Sequence, residues 1–118
     1  MSYTIVHVDD IEGAGPGGSV KFVRRELGVD AFGVNWFELP PNTEGRGHDE
    51  SQTGQEEVNI IIRGSGTYVV GDEELEVREG TALRFDPETF RMPKAGPDGL
   101  TMVAIGAPPG SYQPRGPF

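Results

Sequence analysis

Glu57-Val58-Asn59-Ile60-Ile61-Ile62-Arg63, closed by Gly64-Ser65-Gly66, is the stretch from which the fold is read. Val58, Ile60 and Ile62 point one way, and Glu57, Asn59, Ile61 and Arg63 the other, as successive side chains do on a strand. Valine and isoleucine suit a pleated, half-buried surface. Gly64-Ser65-Gly66 reads as a turn. Beyond it Thr67–Val70 and Glu73–Val77 form a hairpin about Gly71-Asp72. Thr81–Phe85 is a further strand, Phe90–Pro93 a short extended piece, Lys94–Gly99 a loop and Leu100–Ile105 a final strand.

Upstream, Ala31–Leu39 is a strand with apolar residues on both faces, ended by Pro40-Pro41. Thr43–Gln55 is a polar loop. Ser2–Val8 alternates in part and reads as a first strand, and Asp9–Gly18 as a loop. Ser19–Gly28 reads as a short helix with Ser19 as N-cap and Gly28 just past its end; a strand competes there because valine and phenylalanine favour sheets. From Gly106 onward prolines and glycines exclude a regular element. About eight strands with tight turns and little helix predict an all-β antiparallel sandwich or barrel.

The chain has 118 residues, the length of one domain, with 18 glycines and 10 prolines that suit many turns. Nineteen acidic against ten basic residues give a net charge of −9, which disfavours nucleic acid as a partner. No cysteine is present, so thiolate metal sites, disulfides and cysteine nucleophiles are excluded. No apolar run approaches the ~20 residues of a membrane span. The start lacks a basic segment followed by an apolar one, so a cytoplasmic protein is the expectation. Glycine-rich Gly13–Gly18 lacks a following Lys-Ser/Thr and is a turn, and no Gly-x-Ser-x-Gly elbow occurs.

Between Pro40 and Ile105 the pattern resembles the cupin superfamily, jelly-roll barrels with two motifs. The first runs Gly, five residues, His-x-His, three or four residues, Glu, six residues, Gly. Here Asn42 stands at the opening glycine, His48 at the first histidine, Glu50 at the second, Glu57 at the glutamate and Gly64 at the closing glycine. The six residues between Glu50 and Glu57 exceed the usual gap by two, and Ser51–Gly54 absorbs them. The second motif runs Gly, five residues, Pro-x-Gly, two residues, His, three residues, Asn. Gly80 fits its start, Pro87 is displaced by one, Thr89 replaces the inner glycine, Arg91 falls on the histidine and Ala95 on the asparagine. The resemblance implies an antiparallel jelly-roll β-barrel over about residues 31–106, with an N-terminal extension 1–30 carrying the short helix and a tail 107–118. It also implies a homodimer, to which the apolar face of Val58, Ile60 and Ile62 and the proline-rich tail would contribute.

A typical cupin metal is held by three histidines and one glutamate. Carried over by position, this chain offers His48, Glu50, Glu57 and Arg91. A guanidinium has no lone pair to give a metal. His48, Glu50 and Glu57 therefore make at most a weak divalent-metal site, and no tightly bound cofactor is expected. Arg91 is expected to pair bidentately with Glu57, its charge standing in for the metal's. His48 reads either as a pocket residue or as a solvated loop histidine whose pKa Asp49 and Glu50 raise. Asn59 and Ile61 share the Glu57 face and line the pocket; Asp49 and Glu56 read as surface. His7, Trp36, Phe37 and Phe85 read as structural.

Three functions stay open on these residues. The first is a small-molecule-binding protein with a degenerate metal site. The second is an enzyme, a weakly metal-bound dioxygenase or a metal-free isomerase with His48 as base and Glu57 beside it. The third is a structural or interaction protein whose interior is filled by Arg91 and aromatic side chains.

Overall fold

The computed structural model describes residues 2–117. Met1 and Phe118, the ends of the expected domain span, lie outside that range. The elements in order are β1 (Val20–Lys21), α1 (Val23–Leu27), β2 (Gly33–Leu39), β3 (Glu56–Val70), β4 (Glu73–Arg78), β5 (Ala82–Phe85) and β6 (Met92–Ala107), with 3₁₀ turns at Val8–Asp10 and Pro16–Gly18. The fold is the antiparallel jelly roll expected, with one short N-terminal helix.

Two long strands carry it. β3 and β6 are antiparallel from Glu56↔Ala107 to Val69↔Met92. The N-terminal half of β3 is flanked by β6 on one edge and β5 on the other, and β2 and β1 continue the sheet beyond β6. The C-terminal half of β3 has β4 on its other edge, while the start of β6 is bridged to the loop before β3 at Glu44↔Lys94, with Arg91, just before β6, bridged to His48. The bend between the halves comes from an irregularity. Gly64 faces Leu100 and Gly66 faces Ala95, so Gly96–Gly99 stand against Ser65 alone. Extra residues in one strand of a pair bend it and sharpen its twist. The two halves then pack face to face around Leu39, Ile61, Tyr68, Val77, Phe85, Ala95, Leu100 and Met102.

Several expectations are corrected. Gly64-Ser65-Gly66 is not a turn between two strands but the bend inside one. Gly64 has φ 80°, and a Cβ there would run into the Gly99 carbonyl oxygen, so only glycine passes. Phe90–Pro93, Lys94–Gly99 and Leu100–Ile105 are not separate pieces, because β6 runs from Met92 to Ala107; of the expected loop, only Gly96–Gly99 leave the β3 register. Ser2–Val8 forms no strand, since no neighbouring edge takes its hydrogen bonds. At the helix both readings hold in part. Val20-Lys21 pair with Phe37 and Trp36 as a strand, and the helix starts three residues later with Phe22, not Ser19, at its N-cap. Gly28 ends it in the left-handed region at φ 74°, as the C-terminal signal predicts.

Candidate functional site at the barrel mouth

Three segments build the site: the loop before β3, β3 itself and the stretch between β5 and β6. His48 and Glu50 sit on the loop before β3. The backbone of His48 exchanges two 3.0 Å hydrogen bonds with Arg91, and the Glu50 N–H donates to the Pro87 carbonyl at 2.7 Å. Glu57 and Asn59 follow two residues apart on the inward face of β3, beside Ile61. The strand alternation read from the sequence is what aims them inward.

The shared atom is Glu57 Oε1. Arg91 Nη2 lies 2.9 Å from it, Asn59 Nδ2 donates to it at 3.0 Å, and His48 Nε2 is 3.9 Å away. His48 Nε2 is also 3.2 Å from Glu50 Oε2, while Glu50 Oε1 accepts from Thr53 Oγ1 at 2.7 Å. Below Asn59, Tyr68 donates its hydroxyl to Asn59 Oδ1 at 2.8 Å, with Met102 Sδ at the same distance. A directed chain thus runs from Tyr68 through Asn59 to Glu57.

Arg91 is 1 % exposed. Its Nη1 donates to the Thr89 carbonyl at 2.8 Å, and its guanidinium lies over the Phe85 ring, 4.9 Å from the centroid. The expected bidentate pairing with Glu57 does not form. Nη2 approaches one carboxylate oxygen with its N–H bonds off the line, so Nη2 and Nε have no hydrogen-bond partner among the described residues. The stack on Phe85 and the Thr89 bond fix the plane of the guanidinium, which prevents the fork from meeting both oxygens.

The charges settle as follows. Burial pushes the Glu57 carboxyl up, but the His48 imidazole, the Arg91 guanidinium and the Asn59 amide outweigh it and hold the pKa at about 2. The Glu57 carboxylate raises the His48 pKa, with a smaller contribution from Glu50; burial and Arg91 oppose them. Ser51 donates to the exposed Asp49 from its N–H and hydroxyl and lowers its pKa. Burial, then the Glu57 carboxylate, pushes the Tyr68 hydroxyl up.

The structure brings His48, Glu50, Glu57, Asn59 and Arg91 together, while Ile61, expected to line the pocket, belongs to the buried apolar core. His48 and Glu57 keep side-chain exposures of 35 % and 14 % at the mouth, whereas Asn59 is a buried link. Glu56 points the other way and pairs with Arg84, and Asp49 is exposed, as read. His7 only caps a 3₁₀ turn, accepting from the Asp9 N–H. Tyr68, Thr53 and Thr89 are partners that the sequence reading misses. Thr53 and Thr89 carry no spacing signal. Tyr68 lies beyond Ile62, where β3 slips by one residue against β6 between Ile61 and Arg63. The inward positions change there from odd to even numbers, so Arg63 is exposed rather than inward and alternation counted from Glu57 places Tyr68 outside.

The ligand atoms of His48, Glu50 and Glu57 lie within 4.8 Å of one another. One imidazole and two carboxylates are a thin donor set for a divalent transition metal. Glu57 Oε1 is already engaged by a guanidinium and an amide. The fit is poor, because a divalent ion at these three groups would stand beside a fixed positive charge.

No protein-family model matches the chain, and no curated protein matches it. Solved structures do. A cupin protein from Bacteroides fragilis superposes with a TM-score of 0.80 at 20 % identity, covering 98 % of this chain and 92 % of that one. An uncharacterized conserved protein with a double-stranded beta-helix domain from Klebsiella pneumoniae gives 0.72 at 19 % identity over 92 % of each chain. A cupin-2 domain containing protein from Shewanella frigidimarina gives 0.55 at 16 % identity over 74 % of each. At these identities the likeness establishes the fold: this chain is a cupin-type jelly roll.

Proposed function

We propose that this cupin-fold chain binds a small polar molecule at the barrel mouth, over His48, Glu50 and Glu57, and holds no divalent metal tightly. The observation that carries the reading is the Tyr68–Asn59–Glu57 chain, which fixes a carboxylate and the histidine beside it where both still meet solvent. Orienting groups from a buried polar network costs stability, and such clusters of shifted pKa gather at functional sites. The interior beneath is packed by Arg91, Tyr68, Phe85 and Met102, so the ligand is small and seated at the rim. An imidazole between carboxylates presents both a donor and acceptors, which suits a ligand carrying a hydroxyl, an amine or both. Residues 1–118 are taken as one domain. No helix of the described residues is long and apolar enough to cross a membrane, and the cytoplasm is the proposed compartment.

The same packed interior favours a second reading, an interaction protein without chemistry. A thermal-shift screen with small amines, polyols and hydroxy acids separates the two. The proposal expects at least one class to raise the melting temperature of the wild type but not of His48→Ala or Glu57→Gln. Equal shifts in all three proteins, or none in any, would leave the interaction reading. Turnover of a bound compound, abolished by His48→Ala, would move the assignment to an enzyme with His48 as base.

The proposed protein partner is a second copy. On the outer face of the sheet, Trp36, Val103 and Ile60 form one cross-strand row, and Val34, Ile105 and Val58 the next. The rows end in Lys21 beside Trp36 and in Arg84 beside Val58, ion-paired to Glu38 and to Glu56 and Asp86. An apolar face bordered by both signs of charge is self-complementary about a two-fold axis, which a chain of net charge −9 otherwise resists.

A further inference from the structure

We infer that Arg91 is a built-in cation occupying the place of a metal ion, so that the mouth is a latent divalent-metal site closed by a side chain of the protein itself. The inference rests on the reading above that the mouth holds no divalent metal tightly, not on which molecule it binds, and the Arg91→His arm below tests it separately. It rests on the mismatch between a three-residue ligand cluster and the guanidinium set against it. His48, Glu50 and Glu57 converge as ligands do, yet the charge they face is already on the chain, 2.9 Å from Glu57 Oε1.

Arg91 is not a gate that swings aside. Its backbone exchanges both hydrogen bonds with His48, its Nη1 is bonded to Thr89, its guanidinium lies on Phe85, and it is 1 % exposed. Hydrogen bonding alone does not account for its presence, since Nε and Nη2 lack aligned acceptors. What the guanidinium supplies is charge for Glu57, a carboxylate that would be costly to bury unpaired. A metal ion would supply the same charge, and the two exclude each other by repulsion.

The backbone makes the inference reversible. Position 91 is the direct antiparallel partner of His48, and side chains at such paired positions stand next to each other on one face. An imidazole at 91 would therefore lie beside the His48 imidazole, giving two nitrogens and two carboxylates, a set that suits Ni²⁺ or Zn²⁺.

The experiment is calorimetric titration of Ni²⁺ into the full chain in chelator-free buffer, with folding of each variant checked by circular dichroism. The wild type is expected to show no saturable uptake up to about 1 mM. Arg91→His should bind one Ni²⁺ on the order of tenfold more tightly or better, and lose it when His48→Ala is added. Arg91→Met, which removes the charge without adding a ligand, should fall between the two. Where a single variant fails to fold, Arg91→Met/Glu57→Gln, which removes both charges, reports whether the lost pairing is the cause; recovery of its fold supports the inference. Tight stoichiometric Ni²⁺ in the wild type overturns it. So does a folded Arg91→His that binds no better than the wild type, and so does a double variant that stays unfolded.

Discussion

The Tyr68 hydroxyl donates to Asn59 Oδ1 at 2.8 Å, joining the two halves of the jelly roll through a buried polar contact. Tyr68 is fully buried, and its ring stacks on Phe85 with centroids 5.7 Å apart. Tyr68→Phe keeps the ring and removes the donor. Asn59 Oδ1 is then left buried without that partner, which costs about 1–3 kcal/mol. Urea unfolding monitored by tryptophan fluorescence gives the number. Because Asn59 also orients Glu57, the variant should further weaken any ligand whose affinity depends on Glu57. A loss of stability below about 0.5 kcal/mol would show that the contact is not what fixes Asn59.

The charges at the mouth make stability depend on pH in two opposite senses. The folded Glu57 pKa of about 2 lies below the 4.5 of a free carboxyl. Its contribution is therefore complete above about 4.5 and is lost as pH falls toward 2, on the order of 3 kcal/mol in all. The His48 pKa is raised above 6.5, so its contribution is complete below that value and is lost as pH rises through the folded one. Stability should thus peak in weak acid, between the two windows. Glu57→Gln should flatten the acid limb and His48→Gln the upper one in denaturant titrations at successive pH values. An upper limb that persists in His48→Gln would place its origin in another group.

The outer face of the sheet gives the third prediction. Ile105 is the most exposed residue of the two apolar rows, at 37 %, and lies between Val34 and Val58. A charge there should abolish a two-fold contact while leaving the core untouched. Light scattering on the wild type should give twice the 12.7 kDa chain mass, and Ile105→Glu should give the chain mass itself. The melting temperature at high dilution should hardly change, because surface substitutions away from special features cost within about 0.5 kcal/mol. A wild type of 12.7 kDa at every concentration would rule out the second copy as occupant.

Much of this architecture is legible in the residues. The alternation from Glu57 to Ile61 gives the inward face correctly, the Gly71-Asp72 hairpin falls where the turn residues put it, and the motif spacing places His48, Glu50, Glu57 and Arg91 in one cluster. What escapes is long-range. Glycines mark both a turn and a bend within a strand, and only the partner strand decides between them. Pro93 and Pro97 argue against a strand, yet both lie within β6 beside the bend or facing the bridged loop, where the missing N–H is tolerated. The guanidinium plane of Arg91 is set by Phe85 and Thr89, neither of which its spacing from Glu57 reveals.

The bend itself is open to test at Gly64. Its φ of 80° is strained for any side chain, and a Cβ would collide with the Gly99 carbonyl oxygen, a backbone atom that cannot rotate away. Gly71, at φ 60° in the hairpin turn, has the same conformational demand but open space around it. The pair separates backbone strain from steric collision. Gly71→Ala should cost about 1 kcal/mol, the ordinary penalty for a left-handed alanine. Gly64→Ala should cost several times that, because relieving the collision moves β3 away from β6 where the halves fold over each other. Since Glu57 and Arg91 lie in different halves, a shift at Gly64 should also loosen their pairing and raise the Glu57 pKa, read by carboxyl NMR titration. Equal costs for the two alanines would mean that the collision is relieved locally and that the bend does not set the mouth.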